Sequence, residues 1–268
     1  MKFFSYSGSK EKYMNLLNPF IDKTNKKVYV EPFVGSGAIL FNLTKKFDKY
    51  VINDIDRNII RIFNTFKEIN FNDYNNLLNK IINEFGCIKT NKESYYLFRN
   101  WFNQNFWKSE SIEEGVYLHI LANSCINSFL RFGPNGMNQG WGNRLYILSN
   151  ENFLKIKSVL IKTEILNEDY KQIINNYKDA FYFFDPPYFS QESSYKGFSE
   201  NEFVEFLNKI KNLEFVYTDI LNEFNKDIQN KMIIRNMRKT APSTNKNLTG
   251  NLEYLFSSFE IIQNRKLF

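Results

Sequence analysis

An α/β fold, with a sheet covered by helices on both faces and a helical subdomain inserted into it, is what this sequence predicts. Three observations carry that expectation. Short apolar or aromatic runs of strand length recur along the chain, and amphipathic helical patterns lie between several of them. Residues 57–162 separate two of those runs, far more chain than a strand–helix–strand crossover needs.

The runs come in order as KVYVEPF (27–33), YVINDID (50–56), TEILNED (163–169), FYFFDPP (181–187), EFVYTD (214–219), KMIIRNM (231–237) and LEYLFSSF (252–259). Each has β-forming composition and is followed by a loop signal. After the second run, DRNIIRIFNTFKEI places Ile59, Ile60, Phe63 and Phe66 on one helical face. The insertion reads as three helices, DYNNLLNKIINEF (73–85), KESYYLFRNWFNQNF (92–106) and EEGVYLHILANSCINSFL (113–130). A loop rich in Gly and Asn, RFGPNGMNQGWGNR (131–144), follows them. Between the fourth and fifth runs, Ser199 and Glu202 stand at capping-box spacing ahead of Phe203, Phe206, Leu207 and Ile210.

Composition narrows the chemistry. A chain of 268 residues, 43% hydrophobic, can bury one large core or a core with a substantial insertion. A net charge of +6 and a pI near 9.0 favour a polyanionic partner. The N-terminal MKFFSYSGSKEKYM lacks a signal-peptide core, and nothing approaches the roughly 20 apolar residues of a membrane span, so a cytoplasmic protein with no membrane partner is expected. Cys87, Cys125 and the single histidine, His119, are too few for a zinc site or a Ser-His-Asp triad. We expect no metal, and we read His119 as a satisfied interior residue.

Three constellations remain. In VYVEPFVGSGAIL a strand leads through Glu31 to Gly35 and Gly37 and then to a helix-forming apolar segment, a turn that lets a ligand approach the backbone. It lacks the third glycine of the dinucleotide pattern and the Gly-Lys-Ser/Thr of a phosphate loop; a tight turn with no ligand is the competing reading. Asp54 ends the next strand, where doubly wound nucleotide folds place a ribose-binding carboxylate, while Asp56 reads as the cap of the following helix. A nucleoside cofactor without phosphates, such as S-adenosyl-L-methionine, fits that pair. FYFFDPPYF (181–189) runs four aromatic residues into two prolines that no ladder or helix can continue through. Asp185 and the Pro186 carbonyl there could accept hydrogen bonds from the exocyclic amine of a planar base, with Tyr188 stacking on it.

Together, YSGSK (6–10), EPFVGSG (31–37), NDID (53–56), SFLRFGPNG with WGNR (128–144) and DPPY (185–188) resemble the Dam-type, D12-class N6-adenine-specific DNA methyltransferases, in order and over essentially the whole chain. The resemblance implies a Rossmann-like methyltransferase fold with a seven-stranded mixed sheet. Residues 1–62 and 155–268 would form the catalytic domain and residues 63–154 the target-recognition subdomain. It implies cofactor contacts from Tyr6, Lys10, Glu31, Phe33, Gly35, Gly37, Asp54, Asp169, Tyr170 and Asp185. Catalysis would fall to Asp185, Pro186 and Tyr188, acting on N6 of an adenine extruded from the duplex, with S-adenosyl-L-homocysteine as product. DNA contacts would come from Arg131, Phe132, Asn135 and Arg144, with Phe132 as a wedge between base pairs or, alternatively, as a core residue.

Many relatives carry a phenylalanine and a proline where this chain has Met137 and NQGWG, and Ser-Asn where it has Thr218 and Asp219. The first departure bears on the site read, for which GATC is the expectation. The second is expected to matter little for chemistry. The alternatives are cytosine-N4 methylation, and a catalytically silent DNA-binding or cofactor-sensing protein of the same fold. A separate cognate restriction endonuclease is a candidate partner, and action as a monomer is expected.

Overall fold

The computed structural model describes residues 1–6, 8–187, 198–236 and 252–261. Its strands are β1 (Val28–Glu31), β2 (Lys49–Asn53), β3 (Phe132–Gly133), β4 (Gly136–Met137), β5 (Thr163–Leu166), β6 (Phe181–Phe184), β7 (Glu214–Ile220), β8 (Lys231–Asn236) and β9 (Leu252–Ser257). Its helices are α1 (Met14–Ile21), α2 (Arg57–Glu68), α3 (Phe71–Phe85), α4 (Lys92–Asn105), α5 (Ile112–Ser124), α6 (Asn150–Leu160), α7 (Tyr170–Asn176) and α8 (Glu200–Ile210). All seven apolar runs became strands of one sheet, in the order β5-β2-β1-β6-β7-β9-β8. β1 runs parallel to β2 and β6, and β6 parallel to β7, whereas β9 is antiparallel to both β7 and β8. The sheet is therefore mixed, as expected. No helix among the described residues is long and apolar enough to cross a membrane.

The chain packs as two compact units, the first comprising Met1–Lys12, Val34–Asn42 and Asn53–Asn167, the second the described residues of Tyr13–Phe33, Leu43–Ile52 and 168–268. In the second unit β6 lies between β1 and β7, which buries Phe181, Tyr182, Phe183 and Phe184 on both faces. Burial of each such ring is worth roughly 2 kcal/mol. The unbroken apolar run is thus the signature of a central parallel strand rather than of a half-exposed one. Tyr182 keeps its hydroxyl satisfied by donating to the Tyr177 carbonyl at 2.8 Å. α8 begins with the expected capping box: the Ser199 hydroxyl accepts from the Glu202 N–H, and the Glu202 carboxylate accepts from the Ser199 N–H at 2.9 Å.

In the first unit α5 is the buried axis, packed by α2, α3 and α4, with every residue from Glu114 to Ser124 buried. Side-chain caps start the surrounding helices. Asp56 accepts from the Asn58 N–H (2.9 Å), and Asn70, Asn91 and Ser149 act likewise for α3, α4 and α6. Two helical expectations were too generous. α5 stops at Ser124 rather than near residue 130, because Asn127 and Ser128 adopt left-handed backbone (φ 57° and 54°) and the Ser124 carbonyl accepts from the Gly142 N–H. The segment after Gly37 forms only a 3-10 turn at Leu40–Asn42. There the Asn42 side chain takes the Ala38 carbonyl (2.8 Å), the acceptor its own backbone N–H would need in an α-helix.

Candidate active site

The glycine turn of the first unit is built around two left-handed residues, Gly35 (φ 49°) and Gly37 (φ 70°). A Cβ on Gly37 would stand 2.8 Å from the Phe41 ring, and one on Gly35 would stand 3.0 Å from Tyr6, so both backbone and space demand glycine. The Asp54 carboxylate ties the turn to the end of β2. One oxygen accepts from the Gly35 N–H and the other from the Asp56 N–H, each at 3.0 Å. Burial pushes the Asp54 pKa up to about 6, against the pull of these two donors. Asp56 caps α2, as the sequence suggests, and Asp54 faces the turn.

Tyr6 lies against Gly35, and the buried Lys10 donates to the Gly8 carbonyl at 3.1 Å. The segment carrying Tyr6 is pinned to α5. His119 donates through Nε2 to the Phe3 carbonyl (3.1 Å), and the Asn123 amide oxygen accepts from the Ser5 N–H (3.0 Å). Burial lowers the His119 pKa to about 4, so the imidazole is neutral and structural.

Within the second unit Glu31 is buried at the end of β1 and accepts from the Tyr29 hydroxyl at 2.9 Å. Phe33 and Tyr170 face one another with ring centroids 5.3 Å apart, and Phe198 and Phe206 complete an aromatic cluster around them. The Tyr170 hydroxyl is buried with no hydrogen-bond partner among the described residues. The exposed Asp169 caps α7, its carboxylate accepting from the Lys171 N–H at 2.8 Å. Asp185 stands one residue beyond β6, and the parallel register that pairs Phe184 with Tyr217 sets Thr218 beside it. The Thr218 hydroxyl donates to the Asp185 carboxylate at 2.8 Å. Pro186 is buried; Tyr188 lies outside the described residues.

β3 and β4 form a short hairpin in the first unit, with Phe132 opposite Met137. Asn103 of α4 clamps it by accepting from the Met137 N–H (2.8 Å) and donating to the Met137 carbonyl (2.9 Å). Arg131 and Asn135 are exposed, and the Arg131 Nε donates to Asn138 at 2.8 Å. Phe132 is half-buried and stacks on Trp107 (5.9 Å, 16°). It is therefore neither a core residue nor free. Arg144 donates to the Cys125 carbonyl at 2.7 Å. Among the described residues no group of three or more His, Cys, Asp or Glu side chains could hold a metal ion.

The family model for D12 class N6 adenine-specific DNA methyltransferases matches residues 6–267 of the chain. The chain belongs to this family. It is 29% identical to the Type II methyltransferase M.MjaIII of Methanocaldococcus jannaschii, over 75% of this chain and 74% of that one. It is 24% identical to the Type II methyltransferase M.CviBI of Paramecium bursaria Chlorella virus NC1A, over 77% and 76%. A DNA adenine methylase of Haemophilus influenzae is 26% identical over 75% and 69%.

For a D12-class methyltransferase, the geometry adds residues that the sequence left unmarked. Thr218, which the sequence presents as a neutral departure, donates its hydroxyl hydrogen bond to Asp185; no local signal exposes this, because the contact arises from strand register. Trp107 backs Phe132 from a loop in which Lys108 and Glu110 have positive φ (67° and 60°). That loop is held by the buried Glu114, whose carboxylate accepts from the N–H groups of Lys108 (2.6 Å) and Glu110 (2.7 Å) and lies near Arg57 and Arg61. A buried acid in the first turn of a helix that is apolar on every side was the available sign.

Proposed function

We propose that this methyltransferase transfers the methyl group of S-adenosyl-L-methionine to N6 of an adenine extruded from a short duplex site, GATC, leaving S-adenosyl-L-homocysteine. The carrying observation is the Asp185 carboxylate, held at the end of a buried central strand by the Thr218 hydroxyl and followed by two prolines.

The residues present fit such a cofactor. In the first unit Gly35 and Gly37 leave backbone without side chains and Asp54 would offer a carboxylate to ribose hydroxyls; in the second unit the Phe33–Tyr170 pair would offer ring faces and an unused buried hydroxyl to an adenine. Tyr6, Lys10, Glu31 and Asp169 belong to the same proposed set, although Asp169 also caps its own helix. When bound, S-adenosyl-L-methionine supplies an electrophilic methyl group on a cationic sulfur.

The chain's own task is to prepare the amine. The lone pair of an adenine N6 is delocalised into the ring, which makes it a poor nucleophile. Acceptance of its two protons by Asp185 and the Pro186 carbonyl favours the pyramidal geometry that frees the lone pair. Tyr188 would hold the ring by stacking. Orientation and preorganised electrostatics then carry the rate, without a covalent enzyme intermediate.

Residues 63–154 are proposed as the target-recognition subdomain, with Arg131, Asn135 and Arg144 touching bases or phosphates and Phe132 assisting extrusion. Relatives named as type II methyltransferases support a restriction–modification setting with a separate endonuclease. Action is proposed to be monomeric and cytoplasmic.

Labelled S-adenosyl-L-methionine incubated with AT-rich duplex, followed by nucleoside analysis, tests the reading. N6-methyladenine is expected from the wild type, and a loss of at least about 10³-fold from Asp185→Ala with cofactor binding largely intact. N4-methylcytosine, or no transfer, overturns it. Sequencing that reads the modified base in context decides whether GATC is the site.

A further inference from the structure

A cavity of about 270 Å³ in the first unit has a basic lining that the proposed roles leave partly unused: Lys2, Lys12 and Arg144 border it, with Ser5 on the same wall. Its acid, Glu11, is matched by the amino group of Met1 at 3.1 Å. Two of its lining residues carry a stranded donor. The Arg144 Nε and the hydroxyl of Ser5, a residue only 5% exposed, are buried without a hydrogen-bond partner among the described residues. A buried polar group left unmatched costs about 1–3 kcal/mol. The guanidinium is nonetheless held in place, because its Nη2 donates to the Cys125 carbonyl at 2.7 Å.

Lys2 gives a second sign. Partial burial of its ammonium group, although the side chain as a whole is exposed, and then the nearby Arg144 charge depress its pKa, with Glu11 only partly offsetting them. Two cations that disfavour one another and two idle donors describe a place for an anion with several acceptor oxygens. The chain's family acts on DNA, whose backbone carries such groups at every step.

We propose that this cavity receives a phosphodiester of the DNA substrate, with Arg144 and Ser5 donating to its oxygens and Lys2 and Lys12 supplying charge. The contact would position the duplex without reading its sequence. It rests on the proposed action on duplex DNA and adds to it a site centred on the N-terminal segment.

The salt dependence of binding to an AT-rich duplex, measured with S-adenosyl-L-homocysteine present, tests this for the wild type, Lys2→Ala and Lys2→Glu. Lys2 is exposed at the rim, and thermal midpoints check that both variants fold. The slope of log K against log salt is expected to fall by about 0.9 in Lys2→Ala, the value of one phosphate contact. Affinity should weaken alike for cognate and scrambled duplexes, more in Lys2→Glu, while S-adenosyl-L-homocysteine affinity stays at the wild-type value. A wild-type slope in Lys2→Glu overturns the inference. So does a loss of S-adenosyl-L-homocysteine affinity with the slope unchanged, which would assign the cavity to the cofactor's carboxylate, since Tyr6 and Ser36 also line it. A wild type that neither binds nor methylates DNA overturns the proposed function itself; an active wild type with an unresponsive Lys2→Glu removes only the phosphate site.

Discussion

The Thr218 hydroxyl donates a 2.8 Å hydrogen bond to the carboxylate of Asp185, from the neighbouring parallel strand and from a position with no solvent exposure. One oxygen of Asp185 is thereby directed by the sheet. Thr218→Val keeps the shape and removes the donor, so single-turnover methyl transfer is expected to fall about tenfold, with cofactor affinity unchanged. Thr218→Ser should restore the rate. Equal rates for all three proteins would leave Thr218 a packing residue.

Under the proposed ribose role, Asp54 makes cofactor affinity depend on pH. Its folded pKa of about 6 lies above the ordinary 3.8, so the acid becomes protonated as pH falls through 6 and becomes a weaker acceptor for the ribose hydroxyls it is proposed to hold. Calorimetric affinity for S-adenosyl-L-homocysteine should weaken below pH 6 and level off above it, and Asp54→Asn should flatten the curve. For stability the sign is opposite. The folded state holds the extra proton between pH 3.8 and 6, so this residue's contribution declines as pH rises through that window.

His119 works the other way. Its pKa drops from 6.5 to about 4 on folding, so the unfolded chain binds more protons between those values, and stability is lost as pH falls from 6.5 towards 4. The loss amounts to about 3 kcal/mol. His119→Gln retains an amide donor for the Phe3 carbonyl but cannot titrate. Its denaturation midpoint should therefore vary less across this range than the wild type's, a comparison in which the Asp54 contribution cancels.

Phe132 stacked on Trp107 predicts a substrate-dependent defect. If the ring helps to part base pairs, Phe132→Ala should slow methylation of a paired target about tenfold more than methylation of a mismatched one, whose extrusion is already easy. An equal loss on both substrates would make the ring a packing element.

How much of this could be read beforehand depended on the distance over which each signal acts. β6 was visible because four consecutive aromatic residues suit only a strand buried on both faces, and α2 and α8 because Asp56 and Ser199 carry their caps in the local sequence. The end of α5 is not legible locally because its stop lies in left-handed residues at 127 and 128 and in backbone bonds with Gly140 and Gly142, distant in sequence, rather than in a proline or glycine next to the helix. The turn after Gly37 failed as a helix for a related reason, since one asparagine side chain outcompetes the backbone. Thr218 and Trp107 acquire meaning only through neighbours distant in sequence.

The clamp from Asn103 grips only the main chain of Met137 and leaves the hairpin's side chains outside the bargain. Substitutions at positions 131, 132 and 135 can therefore accumulate without unseating the loop, whereas loss of Asn103, or of Gly136, where a Cβ would meet Asn103 at 2.5 Å, would unseat it whatever the loop carries. Under the proposed recognition role, such a mount makes the hairpin an exchangeable cassette. New target preferences could then be grafted onto the same scaffold, and lineages sharing it could drift apart in the DNA words they mark while keeping one chemistry.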